Sequence, residues 1–62
     1  MRKFIVHLCQ DTSFSIKNFE IYFNSNKEAM HYALDKLLEA SKKYKKMLLT
    51  DSNGIVLLNV ER

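Results

Sequence analysis

The stretch KMLLTDSNGIVLLNV, residues 46–60, sets two apolar runs on either side of Asn53-Gly54. That pair of residues suits a two-residue type I′ hairpin turn, in which both central positions take positive φ. Such a turn places Thr50 opposite Leu57, Leu49 opposite Leu58 and Met47 opposite Val60. Side chains alternate between the faces of a strand, so one face of the hairpin carries Met47, Leu49, Val56, Leu58 and Val60. The other carries Leu48, Thr50, Ile55, Leu57 and Asn59. An antiparallel sheet with one wet face alternates apolar with polar. Here both faces are largely aliphatic, and both ask for cover.

Upstream of the hairpin, SNKE at 25–28 fits a capping box, with Ser25 as N-cap and Glu28 reaching back. Met30, Ala33, Leu34, Leu37, Ser41 and Tyr44 then recur at intervals of three and four, the period of one helical face, and Ala29, Leu38 and Ala40 widen the stripe. The opposite face carries Glu28, Tyr32, Asp35, Lys36, Glu39 and Lys43. The spacing predicts a helix over about 26–44. Before it, KFIVHL at 3–8 reads as a strand with Phe4, Val6 and Leu8 on one face. FSIKNFEIYF at 14–23 is apolar at Phe14 and Ile16, then at Phe19, Ile21 and Phe23. Its parity changes across Lys17-Asn18, which predicts a bulge or tight turn there. The chain is therefore a single α+β domain spanning 1–62, in the order β-β-α-β-β, with one helix packed on one face of a mostly antiparallel sheet.

One helix covers one side of a sheet. The second side, to which the first strand contributes Ile5, His7 and Cys9, must find another surface, and an exposed apolar patch of that kind marks an interface. The residues expected there are Ile5, His7, Leu48, Ile55 and Leu57. Tyr32 with its charged neighbours on the polar helix face, or the lysine cluster at 42–46, is expected to serve a further partner. Length argues the same way. A chain of 62 residues buries only about 60% of the surface its unfolded form exposes, and small scaffolds rely on disulfides, metals or partner subunits. The single cysteine, Cys9, forbids an internal disulfide, and two histidines with scattered carboxylates do not make a metal set, which leaves association with a second copy.

The composition is globular, 47% apolar without low-complexity runs, and no apolar stretch approaches the ~20 residues of a membrane span. MRKFIVHLC has a basic head and an apolar run, as a signal peptide does. The run is short, His7 interrupts it and no small-residue cleavage site follows, so the segment is read as a strand and the protein as cytoplasmic. Phe, Tyr, Met, Ile, Asn and Lys supply 27 residues against 6 from Gly, Ala, Arg and Pro, the usage of a low-GC genome. A small chain of this kind suits a phage or mobile-element factor acting in the cytoplasm of such a host.

The chemistry-bearing residues are few. KKYKK at 42–46, with Arg2, Lys3 and a net charge of +3, could grip nucleic acid through Arg2, Lys3, Lys42, Lys43, Lys45 and Lys46, with Tyr44 stacking on a base. The competing reading is a solvated helix end whose cations complement the dipole. On a helix Tyr44 falls on the apolar stripe while the lysines splay around the circumference, which favours that reading. His7 and Cys9 share a strand face, but a thiolate–imidazole pair needs a cleft and an orienting third group. The only glycine sits in the hairpin turn, and no loop is long enough to build a pocket. Asp11, Asp35, Glu39 and Asp51 do not form a metal set. Asp51-Ser52-Asn53-Gly54 starts like a calcium loop but lacks the later ligands, and no phosphate loop or dinucleotide fingerprint is present. The expectation is a non-enzyme without cofactor or metal, a homodimeric interaction module that binds and modulates another protein. The alternative is a small basic nucleic-acid-binding protein.

Overall fold

The computed structural model describes residues 1–10, 15–40 and 44–61, with backbone only at 15 and 16. The elements are β1 (Arg2–Cys9), β2 (Ser15–Phe23), α1 (Asn26–Glu39), β3 (Lys46–Asp51) and β4 (Val56–Glu61). They give the α+β domain and the element order read from the sequence. The four strands form one open sheet in the order β2-β1-β3-β4, and every pairing is antiparallel. β1 and β3 lie inside and β2 and β4 are the edges.

The strict alternation in β1 has the expected effect. Phe4, Val6 and Leu8 are buried, while Ile5 and His7 between them are half-buried. Val6 lies opposite Phe19 of β2 and Leu49 of β3, and Leu8 opposite Lys17 and Met47. Against this floor α1 sets Ala29, Ala33 and Leu37, all buried and four residues apart. Two alanines at the contact let the helix backbone come close to the sheet. The nine buried residues Phe4, Val6, Leu8, Ile21, Ala29, Ala33, Leu37, Met47 and Leu49 form one cluster.

The helix starts where the sequence says. Ser25 is its N-cap; its hydroxyl accepts the Glu28 amide at 3.3 Å and donates to the Glu28 carboxylate at 3.2 Å. It ends earlier than the periodicity predicts, at Glu39 instead of 44. Ala40 is extended (φ −70, ψ 159), and its amide bonds the carbonyls of Lys36 and Leu37. The tertiary constraint is the Lys45 amide, which donates to the Cys9 carbonyl at 2.9 Å and so fixes the approach to β3 at the far end of β1. The buried stripe is also rotated from the expected one. Leu38, assigned to the apolar face, is 73% exposed. Tyr32, assigned to the polar face, is half-buried with its ring 5.2 Å from that of Phe23. The helix turns its flank towards β2 because Phe19 and Phe23 there need cover.

Two local irregularities differ from expectation. In the β1–β2 ladder Leu8 pairs with Lys17 and Cys9 with Ser15, so the extra residue is Ile16, one position before the predicted break at Lys17-Asn18. The hairpin turn is not type I′. Gly54 alone has positive φ, at +84, and its amide bonds the Asp51 carbonyl at 3.0 Å. The Asp51 amide in turn bonds the Ile55 carbonyl, so Ser52, Asn53 and Gly54 form a three-residue loop, a type I turn closed by a left-handed glycine. The Asp51 carboxylate favours this form by accepting the amides of Asn53 at 2.8 Å and Ile55 at 3.0 Å. The longer loop shifts the pairing, so Thr50 meets Val56 instead of Leu57. A bulge at Leu57 then restores Leu49–Leu58 and Met47–Val60. Phe14 and Ser41, assigned above to apolar faces, lie outside the described residues, as does Asp11. Among the described residues no helix is long and apolar enough to cross a membrane.

A Cβ added at Gly54 would touch nothing within 4 Å, so Gly54→Ala carries only the backbone cost of the left-handed region. A loss of roughly 1–2 kcal/mol is expected in urea unfolding, and Gly54→Asn should recover much of it.

Candidate interaction surfaces

Residues opposite one another in an antiparallel ladder share a face, so the register lays out the side of the sheet away from α1 in rows. One row runs Glu20, Ile5, Thr50, Val56; the next runs Asn18, His7, Leu48, Asn59. Tyr22 and Lys3 stand at one end, and Lys46 and Glu61 at the other. Three of the expected interface residues, Ile5, His7 and Leu48, therefore share this face. Leu57 does not join them: the bulge turns it to pack against the core, and Val56, 53% exposed, takes the outward position opposite Thr50. Ile55, 58% exposed, lies opposite Asp51 at the loop, outside these rows. Tyr32 belongs to the helix side.

The face is more polar than the sequence suggested. Lys3 lies 3.8 Å from Glu20, whose other oxygen accepts the Tyr22 hydroxyl at 2.9 Å. That hydrogen bond, with the carboxylate charge beside it, raises the pKa of the Tyr22 phenol above its ordinary value. At the centre, His7 Nδ1 is 3.1 Å from Asn18 Oδ1 and Nε2 is 3.2 Å from Thr50 Oγ1. An amide oxygen only accepts, so Nδ1 carries the proton and the Thr50 hydroxyl donates to Nε2 when the ring is neutral. Both ring nitrogens are thus engaged across three strands. Cys9, 6% exposed, is buried outside the helix-facing core cluster. The two residues sit on one strand as expected, but the imidazole is turned to Asn18 and Thr50. Among the described residues no three of His, Cys, Asp and Glu come together as a metal set would.

The described candidate nucleic-acid cations do not converge. Arg2 and Lys3 lie at the start of β1, opposite Phe23 and Tyr22, whereas Lys46 lies opposite Cys9 at its other end. At about 3.4 Å per residue that is roughly 20 Å along the strand. Arg2 sits 5.8 Å from the Phe4 ring centre, and Lys3 is paired with Glu20. Lys45 is exposed just before β3, and Lys42 and Lys43 lie outside the described residues. With α1 ending at Glu39, the described lysines of KKYKK are not a helix end either; Lys36 is the basic residue of the last turn.

A second feature lies on the helix side, where sequence reasoning expected no pocket. An open cavity of about 390 Å³ is lined by Leu8, Phe19 and Ala40, by the rings of Tyr32 and Tyr44, and by Lys17, Lys36 and Glu39. Among the described residues it is walled by β1 and β2, by the flank and C-cap of α1, and by Tyr44 from the segment before β3. The only sequence signal for it was the aromatic and lysine content of these segments, which carries no position without the sheet order.

The hydrogen bonding at His7 is checkable directly. Nitrogen-correlated NMR of the neutral imidazole should show the Nδ1–H tautomer. His7→Ala, which strips Asn18 and Thr50 of that partner, should cost about 1–2 kcal/mol in urea unfolding.

Comparison with protein-family models, with curated proteins and with solved structures gave no match for this chain.

Proposed function

We propose that the chain is a non-catalytic protein-interaction module that pairs with a second copy of itself through the helix-free face of its sheet. The observation that carries this reading is the layer count. One helix covers one side of a four-stranded sheet, and the other side presents Ile5, Leu48 and the exposed Val56 among polar groups. That mixture of aliphatic and polar groups suits a non-obligate interface, which overall is about as apolar as the rest of a protein surface. The Cα envelope measures 31 × 21 × 15 Å, and its broad side is comparable with the roughly 800 Å² a standard interface takes from each partner. Charges of both signs on the face, Lys3 and Lys46 with Glu20 and Glu61, give a two-fold arrangement opposite charges to meet. The core also favours a partner, since one cluster of nine buried residues stabilises the chain with no disulfide to help.

The free, buried Cys9 suits the reducing cytoplasm, and the remaining surfaces of such a dimer would meet the protein it modulates. The nucleic-acid reading draws no support from geometry, because its described cations are split between the two ends of the sheet.

Light scattering on a sizing column should return twice the chain mass, unchanged between low and high salt. Val56→Glu, at an exposed position, should reduce it to the monomer mass while circular dichroism stays that of the folded chain. Leu48→Glu should do the same with some loss of stability. A monomer in the unmodified protein, or a dimer unaffected by Val56→Glu in a folded chain, would sink the idea.

A further inference from the structure

We propose that the cavity between α1 and β2 is a binding site for a small planar aromatic molecule carrying one anionic group. Its volume of about 390 Å³ falls in the range of small-molecule sites, roughly 300–1,000 Å³. Its walls supply what such a ligand needs. Phe19, Tyr32 and Tyr44 offer aromatic surface from a strand, the helix and the segment before β3. Tyr32 is held in place by Phe23 on one side and by the Lys36 ammonium 5.2 Å from its ring centre. A ring entering the cavity meets Tyr32 already held, which lowers the side-chain ordering that opposes binding.

The charges select the second group. Lys36 already lies 3.8 Å from Glu39. Lys17 is exposed and makes no ion pair with any described residue. Among the described residues the lining thus carries two cations against one carboxylate, and the surplus charge is at Lys17. A cationic ligand would meet two lysines. A neutral ring would leave Lys17 without a counter-charge. A ring with a carboxylate or phosphate satisfies both parts, and those two anions share the chemistry that Lys17 reads. This site is on the opposite side of the sheet from the proposed dimer face, and neither inference depends on the other.

Amide chemical-shift titration of the full chain tests it with four probes: indole-3-acetate, adenosine 5′-monophosphate, indole and acetate. Saturable shifts centred on Phe19, Tyr32 and Lys36 are expected with one or both anionic rings, and the one that binds tells carboxylate from phosphate. Indole and acetate should bind about tenfold more weakly or not at all. Lys17→Glu, at an exposed position that leaves the fold intact, should weaken the anionic ring by about tenfold, and Lys17→Arg should restore it. The proposal is overturned if no probe gives saturable shifts at these residues. It is equally overturned if indole binds as well as indole-3-acetate, or if Lys17→Glu leaves the affinity unchanged.

Discussion

β1 is hydrogen-bonded along both edges, to β2 on one side and β3 on the other, and its Phe4, Val6 and Leu8 are the floor on which the helix rests. The rest of the domain is arranged around that strand. Because β1 separates β2 from β3, the chain leaving β2 must pass over β1 to reach β3, and α1 is the connection that does so. A helix in that position lies against all four strands, and its small residues Ala29 and Ala33 bring it close. β4 is then held mainly by its ladder with β3 and by Leu57, Leu58 and Val60 against the core edge. Among the described elements, α1 is the one that lies across the sheet, and it lies on the Phe4–Leu8 side of β1.

That constraint explains which parts of the fold were legible in the sequence. The N-cap, the β1 alternation and the position of the last hairpin are local, and each followed from a few neighbouring residues. The end of the helix was not local. Leu37, Ser41 and Tyr44 continue the helical period, and no glycine or proline stops it; yet Ala40 is extended, and the Lys45 amide bonds the Cys9 carbonyl, a partner far off in sequence. The turn was misread for a related reason. Asn53-Gly54 is compatible with a two-residue and a three-residue loop, and the carboxylate of Asp51, bonded to two amides, favours the second. One extra residue in the loop reverses the facing of Ile55, Val56 and Leu57, and the bulge at Leu57 corrects it only from Leu58 onwards.

The candidate surfaces were affected by those same two errors. Val56 takes the place of Leu57 on the helix-free face, and the pairing of β1 with β2 and β3 sets polar groups at its centre. His7 bridges Asn18 and Thr50 at its middle, and Glu20 holds Lys3 and Tyr22 at one end. A surface of that kind favours a partner with matching hydrogen-bonding groups over indiscriminate association, because a buried donor or acceptor left without a partner costs about 1–3 kcal/mol. The cavity on the helix side depends on the helix length instead. Extending α1 to 44 would have placed Tyr44 on a helical stripe; in the structure it lines the opening beside Lys17 and Phe19.

The two surfaces meet at one strand. Leu8 lines the cavity and His7, its neighbour, sits on the opposite face, so consecutive residues of β1 serve different sides of the sheet. Whether they act as one device or two depends on how much β1 can give. Its Phe4, Val6 and Leu8 are almost fully buried, and pairs on both edges fix its register. A slip by one residue would exchange the entire buried and exposed sets. Interiors packed in this way resist graded displacement, so a ligand against Leu8 has no soft mode through which to shift His7. The architecture therefore favours independent sites on a rigid partition, in which occupation of the cavity adds to whatever the sheet face binds without changing its affinity.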